Sequence, residues 1–195
     1  LAAALRNLGV ASHTAAVSRS ERAATAAREL KAVRAQIAAA SRGDPAIGLQ
    51  FDAEGRLWDL EHGPAGGDEL NLVKPGQNYG WPLVSDGDHY SGEKIPRHAT
   101  RPDLAAPAIS WNPVIAPGDF IFYSGRMWPE WKGQALIAGL GSGGLVRVRI
   151  DGEKAIEEAR YPLGNRIREI REAPDGSLYL LEDGKGGRLL RLSRK

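Results

Sequence analysis

A glycine-rich acidic segment at residues 61–71 is the part of this chain best suited to chemistry. It reads Glu-His-Gly-Pro-Ala-Gly-Gly-Asp-Glu-Leu-Asn. Glycine adopts backbone conformations closed to other residues, so main-chain carbonyls here can turn toward one point, beside the carboxylates of Asp68 and Glu69. Carbonyl and carboxylate oxygens are the ligands that Ca²⁺ prefers, although the spacing differs from that of an EF-hand loop. The residues predict either a calcium-binding loop or a plain turn.

Two further groups carry side chains that could contact a ligand. The stretch Asn-Tyr-Gly-Trp-Pro at 78–82 places two aromatic rings beside a glycine, which suits a sugar-binding loop or core packing. Arg166 and Arg168 are two residues apart, so on a strand both point to one face, where guanidinium groups bind carboxylates well. The alternative for this arginine pair is a solvent-exposed strand face.

The elements that must position these residues are mainly β-strands. Short apolar runs separated by turn residues predict strands, and Leu-Val-Arg-Val-Arg-Ile at 145–150 alternates as a half-buried strand does. Asp151 and Gly152 then predict a hairpin turn. The predicted strands cover residues 48–51, 57–60, 120–123, 135–138, 145–150, 177–181 and 188–192.

An internal repeat indicates how these strands are arranged. Two stretches each place a turn glycine, Gly55 or Gly176, before a strand with a leucine, an aromatic residue and an acid. Propeller blades repeat every ~40–50 residues. The 121 residues between the two glycines therefore fit two to three blades. We predict a mainly β fold, with about three blades of a β-propeller over residues 46–195.

Residues 1–45 differ from the rest in composition. Alanine fills 15 of the first 40 positions, and no aromatic residue precedes Phe51. Ser18 and Glu21 have capping-box spacing, and apolar residues then recur at three- and four-residue steps. We therefore predict an N-terminal α-helical segment that packs on the main domain. A helix that binds nucleic acid or membrane, and a poorly ordered or non-native leader, are the alternatives.

Composition and charge narrow the functional classes. The net charge of +2 is too small to indicate nucleic acid or membrane as a partner. No run approaches the ~20 apolar residues of a membrane span. Cysteine is absent, which excludes disulfides, thiolate metal sites and thiol nucleophiles but leaves the compartment open. The start of the chain does not read as a secretory signal peptide.

The segment at 61–71, followed by Gly-Gln-Asn-Tyr-Gly-Trp-Pro at 76–82, resembles the signature of the soluble PQQ-dependent aldose sugar dehydrogenases, also called the glucose/sorbosone dehydrogenase family. The resemblance covers residues 46–195 and implies the C-terminal part of a six-bladed propeller. Further stretches resemble the family in the same order: Phe-Tyr-Ser-Gly at 122–125, Pro-Glu-Trp-Lys-Gly at 129–133, Arg-Ile-Arg at 166–168 and Ala-Pro-Asp-Gly at 173–176.

The resemblance implies an enzyme that uses PQQ and Ca²⁺ to oxidise the anomeric hydroxyl of aldose sugars to lactones, in the periplasm or outside the cell. It implies that the carbonyls of Gly63 and Pro64 bind the Ca²⁺ that contacts PQQ. Glu69 and the Tyr79 carbonyl would bind a second, structural Ca²⁺. The residues that the resemblance places against the cofactor are Tyr90, Gly139, Arg166 and Arg168.

Two departures from the family pattern shape the functional hypothesis. The family's catalytic histidine lies in an early blade, and none of the histidines here, at 13, 62, 89 and 98, matches it. The family's PQQ-contacting Arg-Asn-Pro-x-Gly-Leu stretch is only partly matched by residues 42–49. The leading hypothesis is a truncated or degenerate family member without the catalytic base. The alternative is a non-catalytic propeller module that binds Ca²⁺ or a sugar, or that pairs with another chain to cover open blade edges.

Overall fold

The computed structural model describes residues 48–194, which form three antiparallel β-sheets. The helical segment predicted within residues 1–45 lies outside the described residues. Two short 3-10 helices, His98–Thr100 and Pro129–Trp131, lie in the connections. In chain order the strands are β1 Gly48–Phe51, β2 Leu57–Glu61, β3 Asp68–Leu72, β4 Ile109–Trp111, β5 Pro117–Phe122, β6 Ala135–Gly139, β7 Gly144–Asp151, β8 Lys154–Pro162, β9 Ile167–Glu172, β10 Leu178–Glu182 and β11 Leu189–Leu192.

The chain completes each sheet before it starts the next. Sheet 1 contains β1 to β4, sheet 2 contains β5 to β8, and sheet 3 contains β9 to β11, each in sequence order. The first strands lie side by side, because β1 contacts β5 and β5 contacts β9. Successive meander sheets that meet along their first strands are propeller blades. The prediction of about three blades of a β-propeller is confirmed.

Glycines with positive φ form the turns that the sequence indicates. Gly152 has φ of 62° between β7 and β8, where Asp151 pairs with Lys154. Gly55 (φ 80°) and Gly176 (φ 84°) occupy corresponding turns before β2 and β10. This backbone region is strained for residues with a side chain, so the repeated glycine marks the start of a strand in two different blades.

The apolar runs of the sequence do not predict β3, β4, β8 or β9. Strand β3 is the informative case, because it is buried over most of its length and yet contains Asp68, Glu69 and Asn71. Sequence patterns assign polar residues to solvent. Four of the eleven residues in the segment at 61–71, those from 68 to 71, therefore belong to a strand whose polar side chains are buried.

Sheet 2 lies between two hydrophobic cores, because alternate residues of a strand face opposite sides of the sheet. On β6, Ala135 and Ile137 pack toward sheet 1, whereas Leu136 and Ala138 pack toward sheet 3. All four are fully buried. A strand buried on both faces has a continuous apolar sequence, which explains why β6 is easily predicted.

Polar contacts also join the sheets. The Tyr123 hydroxyl donates to the Gly176 carbonyl at 2.7 Å, which connects sheet 2 to the turn before β10. Asp119 on β5 accepts the amide of Ile170 on β9 at 3.2 Å and also pairs with the Arg171 guanidinium. These bonds fix the relative position of two neighbouring blades at their inner strands.

The outer face of sheet 3 is exposed and carries both apolar and charged side chains, the latter being Glu169, Arg171 and Arg191. Within residues 48–194 this sheet has three strands, and β11 at its edge pairs with β10. Tyr179, Leu181 and Leu189 point away from the core and are 37%, 40% and 67% exposed. No helix in the described part of the chain is long and apolar enough to cross a membrane.

Candidate functional site

The loop between β2 and β3 is held by bonds from three directions. The Gly63 amide donates to the Asp68 carboxylate at 2.9 Å. The Gly67 amide donates to the Trp111 carbonyl at 2.8 Å, and Ala65 exchanges backbone hydrogen bonds with Asp88. The backbone of residues 63–67 is thus fixed by its own strand, by β4 and by the loop that contains Asp88.

The glycines in this loop are required by space as well as by conformation. A Cβ on Gly63 would lie 2.1 Å from the Gly66 carbonyl oxygen and 2.3 Å from the Gly67 carbonyl. Gly66 and Gly67 themselves have φ of 99° and 75°. No side chain fits at these positions, so the Gly66 and Gly67 carbonyl groups pack directly against Gly63.

Four oxygen-bearing side chains form two adjacent cross-strand pairs on one face of β2 and β3. Glu61 is the cross-strand partner of Glu69, and Asp59 is the partner of Asn71. The Asn71 side-chain amide donates to Glu61 Oε1 at 2.7 Å and approaches Glu69 Oε2 at 3.4 Å. Residues two apart on a strand face the same side, so these polar groups converge on the side opposite the Trp58 core.

Burial makes this face electrostatically unfavourable for negative charge. Desolvation, together with the nearby Glu61 carboxylate, raises the pKa of Glu69 to about 8. Desolvation and then Glu61 likewise raise the pKa of Asp59 to about 7. Burial also raises the pKa of Glu61, which a hydrogen bond from Asn71 partly offsets. Within residues 48–194, neither Lys nor Arg forms an ion pair with these three carboxylates.

Two oxygens of this face have no donor among the described residues. They are Asp59 Oδ1 and Asn71 Oδ1, which belong to directly opposed residues, and Asn71 is only 1% exposed. An unsatisfied buried oxygen is costly. A proton or a hard cation would satisfy such a pair, so the chemistry of the donor set fits Ca²⁺.

A cavity of about 160 Å³ lies beside the carboxylate face. One wall belongs to the 61–69 segment and the other to residues 78–85. Three of the four residues predicted to bind Ca²⁺, namely Gly63, Glu69 and Tyr79, line it, and so does Glu61. Pro64 follows Gly63 in the same loop without lining the cavity.

The Tyr79 carbonyl is held in place by its surroundings. The Tyr79 hydroxyl donates to the Leu72 carbonyl at 2.5 Å and accepts the Lys74 amide at 2.8 Å. Nε2 of the buried His98 lies 3.1 Å from the Tyr79 carbonyl oxygen. Since a carbonyl oxygen only accepts, Nε2 carries the proton. One lone pair of this oxygen remains for another ligand.

Side chains alone do not complete a metal site. In residues 48–194 no group of three or more His, Asp or Glu side chains converges closely enough to hold an ion. A cation at the cavity would need carbonyl groups and water besides Glu61 or Glu69. Ca²⁺ accepts such mixed oxygen ligands with flexible geometry.

Arg166 and Arg168 converge on a single carboxylate. Arg166 Nε donates to Asp183 Oδ2 at 3.0 Å, and Arg168 donates to Asp183 Oδ1 through Nε at 3.3 Å and Nη2 at 3.2 Å. The hydrogen bond from Arg166 is the main cause that lowers the pKa of Asp183. Both arginines are about half exposed. Two guanidinium groups share one carboxylate, which leaves a net positive charge for an anionic ligand.

The other two residues that the sequence predicts to contact the cofactor are Tyr90 and Gly139. Tyr90 lies on a turn and is 86% exposed. Gly139 ends β6, where an added Cβ would meet Ser142 Oγ at 1.9 Å. None of the four residues predicted to contact the cofactor, Tyr90, Gly139, Arg166 and Arg168, lines the cavity. Each of these assignments stays a prediction.

Sequence patterns missed Asp59, Asn71, His98 and Asp183 as members of the site. Asp59 and Asn71 become visible only through the pairing of β2 with β3, and β3 is not predicted. Asp183 follows Glu182, an acid that the internal repeat already marks. The position of Asp183 at the end of a repeated strand is therefore the one sequence signal that could have marked it as a site residue.

Comparison with known proteins identifies the family. The family model for "Glucose / Sorbosone dehydrogenase" matches residues 26–191. The chain belongs to the glucose/sorbosone dehydrogenase family. It is 38% identical over 143 residues to the aldose sugar dehydrogenase YliI of Escherichia coli strain K12, which covers 70% of this chain and 38% of that protein.

Solved structures of glucose/sorbosone dehydrogenase relatives also resemble this chain. A crystal structure of glucose dehydrogenase matches with a TM-score of 0.70 and 39% identity, over 77% of this chain and 45% of that one. The PQQ-bound form of aldose sugar dehydrogenase from Streptomyces coelicolor matches with a TM-score of 0.54 and 27% identity, over 74% and 41%. The chain thus spans less than half the length of these relatives. The division of the chain at residues 45 and 46 stays a prediction.

Proposed function

We propose that this chain provides the calcium- and quinone-binding part of a PQQ-dependent dehydrogenase that oxidises aldose sugars to lactones. The observation that carries the proposal is the carboxylate face of Asp59, Glu61 and Glu69, which is half-buried to buried, has no Lys or Arg partner in the described residues and borders the cavity. A buried cluster of carboxylates is stable only when protons or cations compensate it. The family to which the chain belongs supports the choice of chemistry.

In this proposal the cation sites use main-chain and side-chain oxygens. The carbonyls of Gly63 and Pro64 bind the Ca²⁺ next to the quinone. Glu69 and the Tyr79 carbonyl bind a second Ca²⁺, and Glu61 adds negative charge nearby. The close packing around Gly63 supports the first site, and the anchored Tyr79 supports the second.

The arginine pair is proposed to bind the carboxylate groups of PQQ. Asp183 accepts a hydrogen bond from Arg166 Nε, so the terminal nitrogens of Arg166 can pair with a planar carboxylate. PQQ bound there would supply the acceptor for the hydride of the sugar's anomeric carbon. Tyr90 and Gly139 are proposed cofactor contacts by family resemblance alone.

No residue of this chain is proposed as the catalytic base. His98 is buried and donates to the Tyr79 carbonyl. His62 Nδ1, in the loop between β2 and β3, lies 3.7 Å from Asp68 Oδ1. A structural role therefore accounts for both. Two possibilities fit this arrangement. One is a truncated or degenerate enzyme, which would oxidise the sugar, and the other is a non-catalytic module that binds Ca²⁺ or a sugar without turnover.

A binding and turnover assay tests the proposal. The purified chain, freed of metal, is titrated with PQQ with and without Ca²⁺ while its tryptophan fluorescence is recorded. Aldoses and a redox dye are then added. Calcium-dependent PQQ binding supports the site, and dye reduction supports the enzyme. Binding without turnover supports the non-catalytic module, and absence of binding contradicts the proposal.

Family resemblance also leads us to propose a periplasmic or secreted location. Fractionation of the native host, with an antibody against this chain, tests it. Recovery of the chain with cytoplasmic markers contradicts this proposal and leaves the proposed chemistry untouched.

The open face of sheet 3 favours a second role, pairing with another chain. Tyr179, Leu181 and Leu189 would be covered by a neighbouring blade in a closed propeller. Self-association would cover them in the absence of other blades. Sedimentation at several concentrations tests it: a concentration-dependent increase in mass supports pairing, and a constant monomer mass contradicts it.

A further inference from the structure

The carboxylate of Asp68 joins two loops from different blades. Its Oδ1 accepts the Gly63 amide at 2.9 Å, and its Oδ2 accepts the Ala116 amide at 2.7 Å. The side chain is completely buried. Gly63 lies in the loop between β2 and β3, whereas Ala116 directly precedes β5 of the next sheet. One side chain therefore fixes the backbone on both sides of the junction between sheets 1 and 2.

The Ala116 side of this connection is strained. Among the described residues, Ala116 is the one non-glycine residue with positive φ, at 46°. Such a conformation persists only where the surrounding structure holds it. The Ala116 carbonyl accepts the Leu140 amide at 2.7 Å, and the Ile115 carbonyl accepts the Gly141 amide at 2.8 Å. Asp68 thereby supports the turn that follows Gly139, a proposed cofactor contact.

The Gly63 side determines where carbonyl groups point. The bond to Asp68 fixes the peptide plane that precedes Gly63. The Gly66 and Gly67 carbonyl groups lie where a Cβ of Gly63 would be, so Gly63 has little room to rotate. The direction of the following Gly63 carbonyl, a proposed Ca²⁺ ligand, depends on both constraints.

The charge of Asp68 also lacks a strong counterion. Its only ion-pair contact within residues 48–194 is with Nδ1 of His62 at 3.7 Å. A buried carboxylate without a cation is costly. A Ca²⁺ bound by the loop that starts at Gly63 would compensate it.

We propose that Asp68 is a positioning residue for the cation and quinone site. It holds the Gly63 loop and the Ala116 turn in one geometry, and its charge increases the affinity of the loop for Ca²⁺. This inference rests on the proposed function and adds a residue that the motif alone assigns no role.

Asp68→Asn tests the inference, with Asp52→Asn as the matched control. Asp68→Asn keeps the shape of the side chain, removes its charge and turns an amide group toward one of the two backbone donors. Asp52 is also buried, at 8% exposed, and accepts two backbone amides and the Trp58 indole. It pairs in addition with the Arg56 guanidinium at 2.7 Å and lies between β1 and β2, outside the Gly63 loop. Both variants lose buried hydrogen bonds, so both are expected to melt at a lower temperature.

Only Asp68→Asn is expected to weaken Ca²⁺ binding, by about 10- to 100-fold in calorimetry, as is typical when a residue that orients metal ligands is replaced. Its PQQ binding then returns at high Ca²⁺ concentration. Wild-type affinity in Asp68→Asn, or an equal loss in Asp52→Asn, overturns this inference and leaves the proposed function standing.

A wild-type chain that binds neither Ca²⁺ nor PQQ overturns the proposed function and the ligand-directed part of the inference. The connection itself is then decided by hydrogen exchange. The Gly63 and Ala116 amides are expected to exchange faster in Asp68→Asn than in Asp52→Asn, and equal protection in the two variants overturns the connection.

Discussion

Glu61 and Glu69 are direct partners across the antiparallel pair of β2 and β3, so a half-buried and a buried carboxylate face each other without a Lys or Arg partner among the described residues. The Asn71 side-chain amide donates to Glu61 and approaches Glu69. This pairing has consequences for stability that are measurable without any cofactor.

Without Ca²⁺, the free energy of unfolding should fall as pH rises from about 4.5 to about 8. Folding raises the pKa of Glu69 from 4.5 to about 8, so the folded chain keeps a proton that the unfolded chain releases. Above about pH 8 Glu69 is deprotonated in both the folded and the unfolded chain, so it no longer makes the free energy of unfolding depend on pH. Urea unfolding in EGTA across this pH range measures the effect.

Glu69→Gln should remove the slope between about pH 7 and pH 8, because glutamine does not titrate. Below about pH 7 a comparable slope from Asp59 remains, since burial raises its pKa from 3.8 to about 7. Glu93→Gln is the control, since Glu93 is exposed and its replacement should preserve the wild-type slope. An unchanged slope in Glu69→Gln contradicts the assignment.

Arg166→Ala and Arg168→Ala should each weaken PQQ binding by about tenfold to a hundredfold, because hydrogen bonds to charged groups contribute ~1.5–3 kcal/mol. Fluorescence titration at fixed Ca²⁺ measures the dissociation constant. Arg191→Ala removes another exposed arginine of sheet 3, which pairs with Asp175, and should leave binding unchanged. A similar loss in all three variants would point to net charge instead of a specific pair.

Gly63→Ala should abolish Ca²⁺ binding, because its Cβ would lie 2.1 Å from the Gly66 carbonyl oxygen and the loop must shift. Gly76→Ala is the control for backbone strain. Gly76 has φ of 76°, but no atom lies near the position that a Cβ would take there, so its replacement should cost only ~1–2 kcal/mol of stability. Calorimetry with Ca²⁺ and urea unfolding separate the two effects. Normal Ca²⁺ affinity in Gly63→Ala would argue against this loop as a cation site.

Tyr123→Phe should lower the free energy of unfolding by about 1–3 kcal/mol, because the Gly176 carbonyl and the Met127 amide lose their partner. Tyr179→Phe, at a 37% exposed position on sheet 3, should change it little. Ca²⁺ affinity should stay at the wild-type value in both variants. Denaturant unfolding measures stability, and an equal effect of the two replacements would contradict the role assigned to the Tyr123 hydroxyl.

The strands that sequence predicts well share two local features. β1, β2, β6, β7, β10 and β11 combine an apolar run with a neighbouring turn residue, and the repeated glycines at 55 and 176 add the blade period. β3 and β9 carry charged residues at alternating or consecutive positions, so local patterns give them no strand signal. These two strands form because they pair with other strands of the sheet, and the sequence of a short segment does not contain that information.

The sequence by itself determined the mainly β class, the hairpin turns, the three-blade length and the motif that led to the family. Turn conformation and apolar alternation depend on neighbouring residues, so they can be read along the chain. Only the tertiary structure decided that Glu61 opposes Glu69, that Asp183 joins Arg166 and Arg168, and that Asp68 bonds both its own loop and Ala116, 48 residues further along the chain. Burial and strand register set these contacts, and both arise when distant segments pack together.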